Sequence, residues 1–281
     1  MAKKLAYLGP PGTFAQEAAL QYDAAAHLVP FLSIPAVAEA VQRGMADEGV
    51  IPIENSLEGA VTDTMDLLIQ EASLFIRREL VLPVEHCLMV KPGTMVEEVE
   101  VVYSHPQALA QCRRFLERCF PRAQRMAALS TAAAVEEMLR SPAKAAAVGT
   151  RRAGQLYGAE VLAYGIQDSA ANVTRFVILA TKDHEPTGSD RTSLCFSFSA
   201  DKPGLLYGVL GEFARRNINL AKVESRPTKE SLGRYIFLID LEGHRQDPLV
   251  REALERVREQ VGMLRVFGSY PRWQNASQGQ G

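Results

Sequence analysis

Two successive patterns limit what this chain can fold into. From the start to about residue 180, short β-rich runs (5–8, 49–53, 99–103, 145–148, 175–180) alternate with helical periodicity (14–22, 37–43, 61–71, 106–119, 131–140, 151–157). That alternation predicts a wound α/β architecture with mostly parallel strands. The β-rich run at 74–90, with Pro83 inside it, reads as two strands crossing between two lobes. Residues 182–190 are polar and contain Pro186 and Gly188, the composition of a linker. Beyond them the order is strand (192–199), helix (205–216), strand (219–225), strand (235–242), helix (248–261) and strand (264–269), the βαββαβ order of ferredoxin-like domains.

At 281 residues the chain has the length of two domains. The expected layout is a catalytic α/β region at 1–183 with its second lobe near 80–170, a second domain at 191–272, and a polar, glycine-rich, disordered tail at 273–281.

A net charge of -2 gives no electrostatic case for nucleic acid or an anionic membrane as partner. No stretch approaches the ~20 apolar residues of a membrane span, and the apolar run at 5–8 ends at Gly9, too short for a signal-peptide core. Cys87, Cys112, Cys119 and Cys195 form no Cys-x-x-Cys pair and have no histidines at zinc spacing, so they read as reduced thiols. A cytoplasmic location is the resulting expectation. With no Gly-x-Gly-x-x-Gly, no phosphate loop and no metal-spaced cluster, no cofactor is expected.

Four segments follow expected strands, where open α/β sheets place ligands. They are Gly9-Pro10-Pro11-Gly12-Thr13-Phe14, Pro52-Ile53-Glu54-Asn55-Ser56, Ser104-His105-Pro106-Gln107 with Gln111 a turn on, and Asn172-Val173-Thr174-Arg175-Phe176. Each has a structural explanation when taken singly. Thr13 and Ser104 stand where helix N-caps belong, Asn55 and Ser56 suit a turn, and Arg175 suits a strand start with a surface carboxylate as partner. Taken together they suit a small dianionic acid: helix N-termini attract anions, and an arginine fork clamps a carboxylate.

In order and spacing the four segments resemble the prephenate dehydratase family over almost the whole chain. The resemblance implies a two-lobed catalytic region of the type II periplasmic-binding kind with its site in the cleft. It places Thr174, Arg175, Asn55 and Gln111 at the chemistry and Thr13, Glu54, Ser56, Ser104 and Phe176 around the substrate. Thr174 would face the leaving hydroxyl, and Arg175 with the amides near Thr13 and Ser104 would hold the pyruvyl carboxylate. Asn55, Ser56 and Gln111 would orient the ring.

In the second domain, Lys202-Pro203-Gly204-Leu205-Leu206 and Glu224-Ser225-Arg226-Pro227 look like the two phenylalanine-site motifs of an ACT domain, with Leu205 where many relatives carry alanine. The resemblance implies L-phenylalanine as allosteric effector, bound between two such domains, and hence a homodimer or homotetramer. Several relatives carry a chorismate mutase region ahead of the dehydratase; with the first motif at Gly9, no mutase activity is expected. Two other readings stand beside prephenate dehydratase: arogenate dehydratase, and a non-catalytic amino-acid-binding sensor.

Overall fold

The computed structural model describes residues 2–71, 73–228 and 233–273; the tail expected to be disordered lies, from 274 on, outside them. In chain order the elements are β1 (Lys4–Leu8), α1 (Phe14–Tyr22), β2 (His27–Phe31), α2 (Ile34–Gln42), β3 (Glu48–Asn55), β4 (Gly59–Ala60), α3 (Thr62–Gln70), β5 (Phe75–Pro83) and β6 (Cys87–Val90). Then come β7 (Val101–Ser104), α4 (Pro106–Gln111), α5 (Arg113–Cys119), β8 (Gln124–Ala127), α6 (Thr131–Arg140), β9 (Ala145–Gly149), α7 (Arg151–Tyr157), β10 (Glu160–Ala163) and β11 (Val173–Ala180). The last six are β12 (Asp190–Ser197), α8 (Leu205–Ala214), β13 (Leu220–Pro227), β14 (Tyr235–Glu242), α9 (Pro248–Gln260) and β15 (Met263–Pro271). No helix among the described residues is long and apolar enough to cross a membrane.

Compactness divides the chain into Met1–Val61 with Val81–Phe176, and Thr62–Leu80 with Val177–Gly281. Strands run β2-β1-β3-β11-β5 in one sheet, with β4 on β3, and β10-β6-β9-β7-β8 in another. Helix-linked strands pair in parallel, β1 with β2 and β3, β7 with β8 and β9. The expectation of mostly parallel strands is thus met only in part, because β6 pairs antiparallel with both β9 and β10. β6 enters its sheet from β5, a strand of the other sheet, so no crossover helix from a neighbouring strand sets its direction parallel.

Four strands were not expected: β2, β8 and β10, which lie at sheet edges, and the two-residue β4, which pairs with β3 off the main strand order. Half-exposed edges carry no apolar alternation, and Pro30 in β2 is tolerated where one side needs no ladder partner. By contrast all of β9, Ala-Ala-Ala-Val-Gly, is buried. Its small side chains let α6 lie close: a Cβ on Gly149 would stand 2.9 Å from the carbonyl of Thr131. The helix expected over 106–119 breaks at Cys112, whose φ of -110° and ψ of 18° separate α4 from α5.

In the second unit β12, α8, β13, β14, α9 and β15 realise the βαββαβ order, in an antiparallel sheet β13-β14-β12-β15. α9 buries Val250, Ala253, Leu254 and Val257, one stripe at helical spacing, against Leu194, Phe196 and Leu241. Glu79 of β5, its side chain 1% exposed, belongs to this unit; it pairs with Arg191 at 2.7 Å and accepts the Trp273 amide at 3.0 Å.

Candidate active site

Strand pleating sorts the second and fourth motifs into two faces. Successive side chains on β3 and β11, neighbours in the sheet, point to opposite sides. Asn55 and Thr174 meet on one side, with Asn55 Nδ2 3.0 Å from Thr174 Oγ1. Glu54 and Arg175 meet at 3.3 Å.

The polarity of the Asn55 side follows from the hydrogen bonds themselves. Asn55 Oδ1 accepts the amides of Leu57 and Glu58, at 3.0 and 3.1 Å, so its Nδ2 is the donor toward the site. That nitrogen is shared among Asn172 Oδ1 (2.9 Å), the Val173 carbonyl (3.2 Å) and Thr174 Oγ1. Asn172 Nδ2 then donates to Gln111 Oε1 at 2.9 Å. Gln111 Oε1 can only accept, so His86 Nε2, 3.1 Å from it, must carry a hydrogen. Thr174 Oγ1, an acceptor from Asn55, keeps its own proton to give away.

These groups open on a cavity of about 110 Å³ to which each of the four motifs contributes: Phe14, Asn55, Gln107 with Gln111, and Thr174. His86 and His105 also line it, and among the described residues no Asp, Glu, Lys or Arg does. Burial lowers the pKa of both histidines, so each favours its neutral form. Thr131 brings in the first turn of α6, whose N-terminus is capped by Ser130 at 3.0 Å and presents the positive end of the helix dipole. Chemically the cavity offers the hydroxyls of Thr131 and Thr174, amides, imidazoles and a helix end.

Other expected site residues are placed elsewhere. Ser104 ends β7, is 0% exposed and donates to the Val148 carbonyl at 2.6 Å. The N-cap of α4 is His105, not Ser104, because the helix begins one residue later, at Pro106; His105 Nδ1 accepts the Gln107 amide at 3.3 Å. Thr13 stands at the N-cap of α1 but makes no side-chain cap bond, its hydroxyl going to the Leu8 and Pro10 carbonyls at 3.2 and 3.0 Å. Its loop is fastened by Thr150, which donates to the Gly12 carbonyl at 2.6 Å, and by Tyr157, which donates to Pro11 at 3.1 Å. Gly12 has φ +88° and lies so near Ala153 that a Cβ would stand 3.1 Å away.

Ser56 donates to the Ala171 carbonyl and accepts the Val173 amide, both at 3.0 Å, and so braces the turn before β11. Phe176 is core, 2% exposed. Arg175, expected beside Thr174, is held by Glu54 and is not among the residues lining the cavity.

Sequence reasoning missed His86 altogether and left Asn172 out of the site. Asn172 had a signal, standing two residues before Thr174 and so on the same side of an extended chain. His86 had none, since its partner Gln111 is 25 residues away.

In the second unit, Gly204, at φ +87° and the N-cap of α8, lines a cavity of about 550 Å³ with Leu205, Leu206, Lys202, Tyr207 and Arg234. Glu224, Ser225, Arg226 and Pro227 lie on β13 and do not line it. Glu224 pairs with Lys222 at 3.1 Å and Arg226 with Asp66 at 2.9 Å. Among the described residues no cluster of three or more His, Cys, Asp or Glu could hold a metal ion.

The family model for prephenate dehydratase matches residues 5–184, which hold all four motifs. The chain belongs to the prephenate dehydratase family. That family's reaction is a dehydration, the work of a carbon–oxygen lyase, and a non-catalytic sensor is thereby set aside. An ACT domain matches residues 196–259. The bifunctional chorismate mutase/prephenate dehydratase of Aquifex aeolicus is 43% identical over 96% of this chain and 74% of its own length. The prephenate dehydratase of Mycolicibacterium vanbaalenii is 39% identical over 95% of this chain and 90% of its own. Among solved structures, prephenate dehydratase from Arthrobacter aurescens in complex with L-Phe is 36% identical, with a TM-score of 0.88 over 96% of this chain and 90% of that one.

Proposed function

We propose that this chain converts prephenate to phenylpyruvate by decarboxylating dehydration, in the cytoplasm and on the route to L-phenylalanine, and that L-phenylalanine regulates it through the C-terminal region. The observation that carries the catalytic half is the Thr174 hydroxyl, which accepts from Asn55 at 3.0 Å and so turns its proton to another acceptor. Prephenate loses its ring carboxylate and ring hydroxyl together, and aromatisation drives the step. The protein has to orient the substrate and assist the departing oxygen. A threonine hydroxyl is a poor acid, so Thr174 acts as a positioned donor to that oxygen, polarised by the Asn55 N–H behind it.

Gln111 Oε1 is occupied by Asn172 and His86, so its amide N–H pair is what it offers the substrate. The first turn of α6 at Thr131 suits the substrate's side-chain carboxylate. With no cation among the described residues of the lining, the ring carboxylate sits in a poorly solvating place, which favours loss of CO2. The cavity's 110 Å³ is below the roughly 300 Å³ at which ligand sites begin, so substrate entry widens it. In this reading Arg175, through Glu54, and Ser56 are positioning residues for β11.

Arogenate differs from prephenate by an ammonium in place of the keto group, and among the described residues no carboxylate lines the cavity to receive it. That favours prephenate. The test follows phenylpyruvate formed from prephenate beside phenylalanine formed from arogenate, with purified chain; equal or faster turnover of arogenate would reverse the assignment.

The regulatory half is supported by the ACT match, by the L-Phe complex of the Arthrobacter relative, and by the 550 Å³ cavity at Gly204. The motif at 224–227 lies on β13, an edge strand, so a second copy set against that edge would supply it to the cavity; a homodimer or homotetramer follows. Phenylalanine inhibits in so far as it favours a conformation that binds prephenate less well. The catalytic assignment to 1–183 and the regulatory one to 191–272 belong to this proposal.

A further inference from the structure

The groove between α9 and β15 gathers four arginines around a single carboxylate. Arg251, Glu255 and Arg258 project from one side of α9, and Arg245 and Arg265 close a cavity of about 400 Å³ with them. That volume lies in the range of small-molecule sites, roughly 300–1,000 Å³. None of these residues belongs to either cavity described above.

Arg245 is neutralised by Asp183 at 2.7 Å, and Arg265 gives one N–H to the Ile69 carbonyl at 2.8 Å. Among the described residues, Arg251, Arg258 and Arg265 make no ion pair, whereas Arg43, Arg113, Arg140, Arg216 and Arg272 each have a carboxylate. Arg265 Nη2 is buried without a hydrogen-bond partner, and the Glu71 carboxylate acts on this guanidinium only through space. Four guanidinium groups against one carboxylate in the lining leave the concavity with a net positive potential.

We infer that this groove binds a small polyanion carrying two or more phosphate or carboxylate groups. Each planar guanidinium takes such a group through two parallel N–H donors. Arg251 and Arg258 are two helical turns apart, about 10 Å along the axis, so they engage separate groups of one ligand and discriminate against monovalent anions. Leu254, Leu264 and Val266 form the apolar floor.

The test titrates the full chain calorimetrically with pyrophosphate and, separately, with citrate, at fixed ionic strength. Saturable binding of at least one probe is expected, and the tighter of the two identifies phosphate or carboxylate as the preferred group. The double variant Arg251→Gln with Arg258→Gln, both exposed and so neutral to folding, should weaken it roughly tenfold or more. Arg256→Gln also removes a charge from α9, but from a side chain paired with Glu259 at 3.2 Å outside the groove, and should leave binding unchanged. Prephenate turnover without polyanion should be the same in all three proteins. No saturable binding by either probe, or an equal loss in Arg256→Gln, would overturn the site and leave only a basic helix surface.

Discussion

Asn55 Nδ2 stands 3.0 Å from Thr174 Oγ1, although 119 positions separate the two along the chain. The contact fixes which way the threonine's proton faces, because the asparagine's oxygen is already taken by two backbone amides. Removing the hydroxyl therefore removes a directed donor. Thr174→Val should lower kcat by roughly two to four powers of ten with the fold retained, and Thr174→Ser should recover part of the rate. Steady-state kinetics beside circular dichroism decide it; near-normal kcat in the valine variant removes Thr174 from the chemistry.

Arg175 is expected to behave as the partner of Glu54 and not of the substrate. Arg175→Lys keeps the charge but loses the planar fork. If Glu54 at 3.3 Å is the partner that counts, kcat/KM should stay within about threefold of the parent, because a lysine ammonium still pairs with that carboxylate. A rise in KM of roughly tenfold or more, the loss of a clamped carboxylate, would return Arg175 to the substrate.

His86 ties stability to pH with a definite sign. Burial lowers its pKa, with the bond to Gln111 opposing, so the unfolded chain binds a proton more readily than the folded one. Its contribution is complete above the unfolded value of about 6.5 and is lost as pH falls through the lower folded value. His105 acts in the same sense, so the measurement compares proteins rather than pH values alone. The fall in Tm between pH 7.5 and pH 5 should be smaller in His86→Gln than in the parent chain. Identical falls would show that His86 takes its proton without cost.

Two changes in the C-terminal unit separate folding from regulation. A chain ending at Thr187 strips Arg191 and Trp273 from the buried Glu79 carboxylate and leaves that charge unpaired, so it should unfold at a lower denaturant midpoint than the full chain. An equal or higher midpoint would contradict that. Gly204 has φ +87° and no atom within 4 Å of an added Cβ, so Ala and Val share the backbone strain and differ only in bulk. Gly204→Val should weaken phenylalanine binding by roughly tenfold beyond Gly204→Ala, with turnover unchanged in the absence of effector. Equal binding by the two variants, read by calorimetry, would move the effector site away from the start of α8.

Local chemistry determined much of this protein before any tertiary contact was known. Periodicity placed the central strands β1, β3, β9 and β11 and most helices, because a buried strand or an amphipathic helix must show its apolar stripe in sequence. The same logic gave the βαββαβ order of the C-terminal region, and motif order gave Asn55, Gln111 and Thr174. Edge strands β2, β8 and β10 escaped because a half-exposed edge is stabilised by ladder hydrogen bonds that carry no side-chain pattern. Tertiary structure alone decided that Ser104 serves the carbonyl of Val148, that Arg175 lies on Glu54, and that His86 joins Gln111. Each of those outcomes depends on which donors and acceptors strand register and lobe packing bring within about 3 Å, and a hydrogen bond between residues distant in sequence leaves no mark on either residue's neighbours.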